Sequence, residues 1–205
     1  MLKPARVITS VVVTAAALSG ALLTAQRGTP TNATLAPVAG TWRTAVEDGH
    51  PTTTVDGSGA SATAPAPAAF SVALAREIAD FRAGTISLEF KLISGASDQT
   101  AGVVFNHQPN GNYHFARYNT KDGNVAVWKF EGGTRTVLAH GELHEQLALG
   151  AWHRLTVTIS GTSVVAVAND RLRVAHTLGA PVQGRVGVWT KADSTTAFRR
   201  FVVAQ

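Results

Sequence analysis

Several groups of residues in this 205-residue chain have the types and spacing to do chemistry. His140, Glu142 and His144 alternate, which on an extended strand would put three metal-ligand types on one side. Gly141 between them and Glu145-Gln146 after them favour a turn instead, so neither a metal nor any other cofactor is expected. Lys191, Asp193 and Ser194 leave a strand together. A lysine beside a carboxylate either fixes a loop as an ion pair or clamps a ligand. Asp98 is one carboxylate, too few for a calcium site, and reads as a turn-forming Asx residue. Glu89 stands alone in Ser87-Leu88-Glu89-Phe90-Lys91, and His107 and His114 read as solvated residues near one hairpin. The remaining group is the richest: Tyr113, Phe115 and Trp128 are interleaved with Asn106, Arg117 and Arg135. Flat rings cover the apolar C–H side of a pyranose while amide and guanidinium groups pair with its hydroxyls.

These residues must be positioned by strands. From Phe70 onward the chain alternates short runs rich in Val, Ile, Phe, Trp, Tyr and Thr with Gly, Asn or Asp breaks. Eleven strands are predicted: 70–75, 85–93, 102–107, 113–119, 125–130, 134–139, 152–160, 163–168, 172–176, 185–190 and 197–203. The 75–82 segment is the one helical pattern, with Ile78 and Phe81 on its apolar side, and is expected to form one or two turns. Hairpin loops at Gln108-Pro109-Asn110-Gly111 and Thr120-Lys121-Asp122-Gly123 fix the register between strands. That register puts Val103, Phe105, Ala116, Tyr118, Val125, Val127 and Leu138 on a core face. It puts Asn106, Tyr113, Phe115, Arg117, Trp128 and Arg135 on the other.

The run from Ser94-Gly95-Ala96-Ser97-Asp98-Gln99-Thr100 to Phe105 is followed by Asn112-Tyr113, Arg117, Asn119, Asn124-Val125, Trp152-His153 and the closing 184–194 run GRVGVWTKADS. In this order they resemble small secreted concanavalin A-like domains of the 3-keto-disaccharide hydrolase, or family-16 glycoside-hydrolase-like, type. The resemblance covers roughly 40–203 and is weak before Phe70. It implies an all-β, concanavalin A-like jelly-roll sandwich of two antiparallel sheets with a concave, sugar-facing surface. Candidate ligand-binding residues are then Asn106, Tyr113, Arg117, Asn119, Trp128, Lys191 and Asp193. The chain departs from its relatives in two places: Arg199-Arg200 and Asp122-Gly123 stand where acidic pairs are common. The Glu-x-Asp-x-x-Glu signature of family-16 glucanases is absent, and retaining hydrolysis needs two carboxyls converging to roughly 5 Å.

Lys3 and Arg6 ahead of an uncharged Val/Ala/Leu-rich stretch read as a signal peptide over 1–25, which implies a secreted or periplasmic protein with no membrane association after cleavage. Residues 26–39 read as a flexible tether and 40–205 as the sandwich domain, with the Pro-rich 57–69 run as a surface loop. Cleavage removes two cations and no acid, taking the net charge from +5 to +3. The remaining basic residues are dispersed, so no nucleic-acid partner is expected. The absence of cysteine excludes disulfides and thiolate chemistry, and no zinc-protease, serine-hydrolase, phosphate-loop or dinucleotide motif is present. The expectation is an exported carbohydrate-binding domain. The alternatives are a glycoside hydrolase acting on (keto-)disaccharides and a structural envelope module that packs on a partner protein.

Overall fold

The structure, a computed structural model, describes residues 29–58 and 68–205. The expected signal segment and most of the Pro-rich loop lie outside them. Two antiparallel sheets face each other. In chain order the strands are β1 (Thr31–Asn32), β2 (Leu35–Ala39), β3 (Trp42–Glu47), β4 (His50–Val55), β5 (Phe70–Ala75), β6 (Gly84–Ser94), β7 (Thr100–His107), β8 (Tyr113–Asn119), β9 (Asn124–Glu131), β10 (Thr134–His140), β11 (Trp152–Ser160), β12 (Ser163–Ala168), β13 (Leu172–Thr177), β14 (Arg185–Lys191) and β15 (Thr195–Ala204). One sheet runs β13-β12-β11-β6-β15-β4-β3 with β1 beside β15, and the other runs β10-β9-β8-β7-β14-β5-β2. This is the jelly-roll sandwich expected from the alternation, and all eleven predicted strands occur in it.

Alternation explains the packing. On β6, Ile86, Leu88, Phe90 and Leu92 face the interior, where they meet Val103, Phe105, Ala116, Tyr118, Val125 and Val127 from the opposite sheet. The register behind that assignment holds: Phe115 opposes Trp128, and Ala116 opposes Val127. A second buried cluster lies on the outer side of the seven-stranded sheet, built from Phe70, Val72, Leu74, Val104, Tyr113, Phe115, Phe130 and Trp189.

Two expectations are corrected. The tether over 26–39 is strand from Thr31 onward: β1 pairs β15, and β2 pairs β5 as the edge of its sheet. Pro37 disguises β2, but it sits beside a register shift on an edge strand, where a missing N–H costs no ladder bond. The helical turns over 75–82 are also not formed; the segment after β5 is irregular. Its backbone is satisfied by tertiary partners instead, Arg76 N donating to Thr34 O at 2.9 Å and Phe81 N to Gly184 O at 2.8 Å. Ile78 and Phe81 are buried all the same. The β3–β4 hairpin escaped notice although it carries a strong turn signal: Asp48-Gly49, with φ values of 51° and 75°, is a two-residue turn in the left-handed conformation such hairpins prefer.

Candidate functional site

The outer face of the seven-stranded sheet carries a continuous aromatic floor. On β8, Tyr113, Phe115 and Arg117 alternate with the core residues, so all three point outward together. Trp128 comes alongside from β9 and Trp189 from β14. The Phe115 and Trp189 rings stack with centroids 4.2 Å apart, Phe70 lies 5.3 Å from Trp189, and Phe115 and Trp128 are nearly parallel at 6.2 Å. Tyr113 and Phe130 meet at 5.0 Å. A glycine makes room for this stack: Gly102 opposes Trp189, and a Cβ there would come within 3.4 Å of the indole and 3.0 Å of the Ala116 carbonyl. Phe115 and Trp189 are fully buried, whereas Trp128 is half-buried.

One end of the floor is a charged network. Arg117, only 4% exposed, donates to the Asn124 carbonyl and side-chain oxygen at 3.2 and 3.1 Å and to Asp122 at 2.5 Å. Burial pushes its guanidinium below the usual range, and Asp122 opposes that shift. The Asn119 amide donates to Asp98 at 3.1 Å and to Asp122 at 3.3 Å, and Lys191 pairs with Asp98 at 2.5 Å. The two carboxylates therefore converge within two hydrogen-bond lengths of each other, and each is held by its own cation. The Arg117 guanidinium also lies 5.7 Å from the Trp128 ring, which joins this network to the floor.

Asp193 has a different task. Its carboxylate accepts the backbone N–H groups of Ala96 (2.7 Å), Ser97 (2.9 Å) and Asp98 (3.0 Å), while Ser194 Oγ accepts that of Thr100 at 3.1 Å. The two distant runs SGASDQT and KADS are thus halves of one joint, and that joint sets Asp98 against Lys191. Burial works against the Asp193 carboxylate, but these N–H donors prevail and hold it below its ordinary value of 3.8. On the opposite outer face, burial likewise disfavours ionised Glu89, yet Arg199 and Arg200 hold it below 4.5. Both groups have depressed folded-state values, so their contribution is complete above the unfolded values and is lost as pH falls through the folded ones. Stability measured by denaturant titration should therefore fall on acidification below about pH 4.5. Asp193→Asn should flatten that fall, and an unchanged profile would refute the assignment.

The other end of the face opens into two adjoining cavities that share Val38 and His107. One, about 490 Å³, is lined by Phe70, Val72, Tyr113 and Phe130 with Asn110 and Asn112 at its turn side. The other, about 860 Å³, includes Asn106, Asp80 and Arg185. Both volumes suit a small ligand. His107 stacks on Tyr113 with the rings 6° from parallel, and burial pushes its imidazole down, as it does that of His114.

Of the residues singled out from the sequence, Tyr113, Arg117, Asn119, Trp128 and Lys191 lie on this face. Asn106 lies at the opposite end from Asn119, in the left-handed conformation (φ 55°) and tied to the 183 backbone, whose N–H it accepts at 3.1 Å. Asp193 stands behind the face as the loop cap. His140, Glu142 and His144 do not converge: His140 meets the edge of Trp128, and the His144 ring Nδ1 lies 2.8 Å from the Asp122 carbonyl. Phe70, Phe130 and Trp189 were missed. For Trp189 the signal was available: Val186 and Val188 are core residues, so the residue between Val188 and Thr190 must point outward. Among the described residues four buried polar side-chain atoms find no partner, and three of them are on this floor: Tyr113 Oη, Trp128 Nε1 and Trp189 Nε1. Burial pushes the Tyr113 phenol up to about 12, and the nearby Trp189 N–H and Arg135 guanidinium resist that shift.

Comparison with solved structures places this architecture among concanavalin A-like jelly-roll sandwiches. The carbohydrate-binding module CBM66 from Bacillus subtilis superposes with a TM-score of 0.64 at 19% identity, over 86% of this chain and 95% of the module. A Bacillus subtilis protein of unknown function with a galectin-like fold gives 0.57 at 16% identity, over 82% and 87%. The Bacillus licheniformis β-glucanase gives 0.51 at 11% identity, over 88% and 91%. No protein-family model and no curated protein matches the sequence.

Proposed function

We propose that this protein is an exported carbohydrate-binding domain and that a sugar lies on the outer face of its seven-stranded sheet, against Tyr113 and Trp128. The observation that carries this reading is the floor itself. It joins half-buried and buried rings to a ligand-sized cavity at one end and a charged network at the other. Rings supply the stacking area, and the exposed half of Asp122 with Lys191 supplies groups for hydroxyls. The similarity of fold to a carbohydrate-binding module is consistent with this but does not choose the sugar.

A glycan array should return a defined set of saccharides, and Trp128→Ala should weaken their binding by about 1 to 3 kcal/mol, as loss of an aromatic anchor does. Undiminished binding by that variant would move the site elsewhere. The convergence of Asp98 and Asp122 gives a second reading, glycoside hydrolysis. Against it, both carboxylates are ion-paired, whereas a general acid must hold a proton near neutral pH. Glu89 cannot join them, since it projects from the other sheet into Arg199 and Arg200. Product analysis on oxidised and unoxidised disaccharides decides between the readings: the binding-domain reading expects no turnover, and turnover abolished by Asp122→Asn would establish the hydrolase.

A further inference from the structure

We infer that the saccharide taken by this face is acidic and that Arg135 receives its carboxylate or sulfate; the inference rests on the sugar-binding reading above and narrows it. Arg135 lies on β10 opposite Phe130. Its guanidinium spans the floor, 4.5 Å from the Trp128 ring centre and 5.8 Å from that of Phe70. The neighbouring cations have partners: Arg117 has Asp122, Lys191 has Asp98 and Lys129 has Glu131, while Arg185 at the cavity end donates to the Ala75 carbonyl at 3.3 Å. Among the described residues Arg135 has neither a carboxylate partner nor a hydrogen-bond acceptor. With Asp98 and Asp122 already engaged by Lys191 and Arg117, this guanidinium adds an unmatched positive charge to the face.

The chemistry of the unpartnered atoms points the same way. Indole N–H groups and guanidinium groups only donate; Trp128 Nε1 and Trp189 Nε1 are buried without partners beside the Tyr113 hydroxyl, so Arg135, half-buried on top of them, is the unpartnered donor of this face that a ligand reaches. A neutral sugar hydroxyl gives one hydrogen bond for those it takes, whereas a carboxylate or sulfate only accepts. A guanidinium also fits such a group with two parallel bonds, and the rings beneath Arg135 keep it partly dehydrated, which strengthens that contact. Asp122 is the opposing feature. Its side chain is 47% exposed, so the anion must come in over Trp128 and Phe70, with the neutral hydroxyls left toward Asp122.

The test is calorimetric titration of the purified protein with matched pairs that differ in charge alone: trigalacturonate against its methyl ester, and a sulfated galactan oligosaccharide against its desulfated form. At least one charged member should bind about tenfold or more tighter than its neutral partner at low salt, with the gap narrowing as salt screens it. Which pair shows the gap separates carboxylate from sulfate. Arg135→Gln should erase the gap, and Arg135→Lys should retain part of it. Melting temperatures establish that both variants are folded, and the salt dependence of the unaltered protein stands as a test even where a variant fails to fold. Equal binding within both pairs, or a gap that survives Arg135→Gln, overturns the acidic-ligand inference and leaves the sugar reading intact. Failure of all four probes together with a blank glycan array overturns both.

Discussion

Trp189→Ala should cost about 3 to 5 kcal/mol of folding stability, the range for truncating a buried large aromatic residue. The indole is fully buried even though it projects from the outer side of its sheet. It stacks on Phe115, packs at a tilt against Phe70 and lies over Gly102, which offers no side chain to fill the space left behind. The cavity would therefore persist instead of collapsing. Trp189→Phe keeps most of the packing and removes an N–H that has no partner, so it should cost far less. Urea unfolding of the two variants checks this, and a loss below about 1 kcal/mol for the alanine variant would mean that the outer cluster is not a second core. The contrast with Trp128→Ala is informative, because a half-buried ring at the margin of the same cluster should lose affinity before it loses much stability.

Gly95→Ala should be the most damaging single-methyl change at the site. Gly95 has a φ of 153°, and a Cβ there would stand 1.9 Å from the Asp98 carbonyl oxygen. Left-handed strain of about 1 to 3 kcal/mol and overpacking of about 1 to 3 kcal/mol both apply, and the obstacle is backbone that cannot rotate away. To relieve the clash the 95–98 loop must move, and the three N–H groups clamped by Asp193 move with it. Asp98 would then be drawn off Lys191. The expected result is a lowered unfolding midpoint together with weakened saccharide binding. Gly161→Ala, in the β11–β12 turn away from this face, is the control: its φ is also positive, at 58°, but nothing lies within 4 Å of the added carbon. Equal effects of the two substitutions would show that φ strain alone decides the outcome and that the joint contributes nothing.

The sandwich and the sidedness of its middle strands were legible in the sequence, because side-chain alternation has a period of two and the turns at 108–111 and 120–123 pin the register. Tyr113, Phe115 and Trp128 could be placed on one face for that reason. Short or proline-bearing strands were hidden: Leu35–Ala39 makes sense as a strand only once an edge position excuses Pro37. The i, i+3 spacing of Ile78 and Phe81 suggested helix, because nothing local reveals that Thr34 and Gly184 will take up the backbone bonds. Tertiary structure alone decided that Asp193 would cap a loop nearly a hundred residues away, that Arg117 would be spent on Asp122 and Asn124, and that Arg135 would be left without an acceptor. Those outcomes depend on which loops the two sheets bring together, and alternation along a single strand carries no information about partners so far apart in the chain.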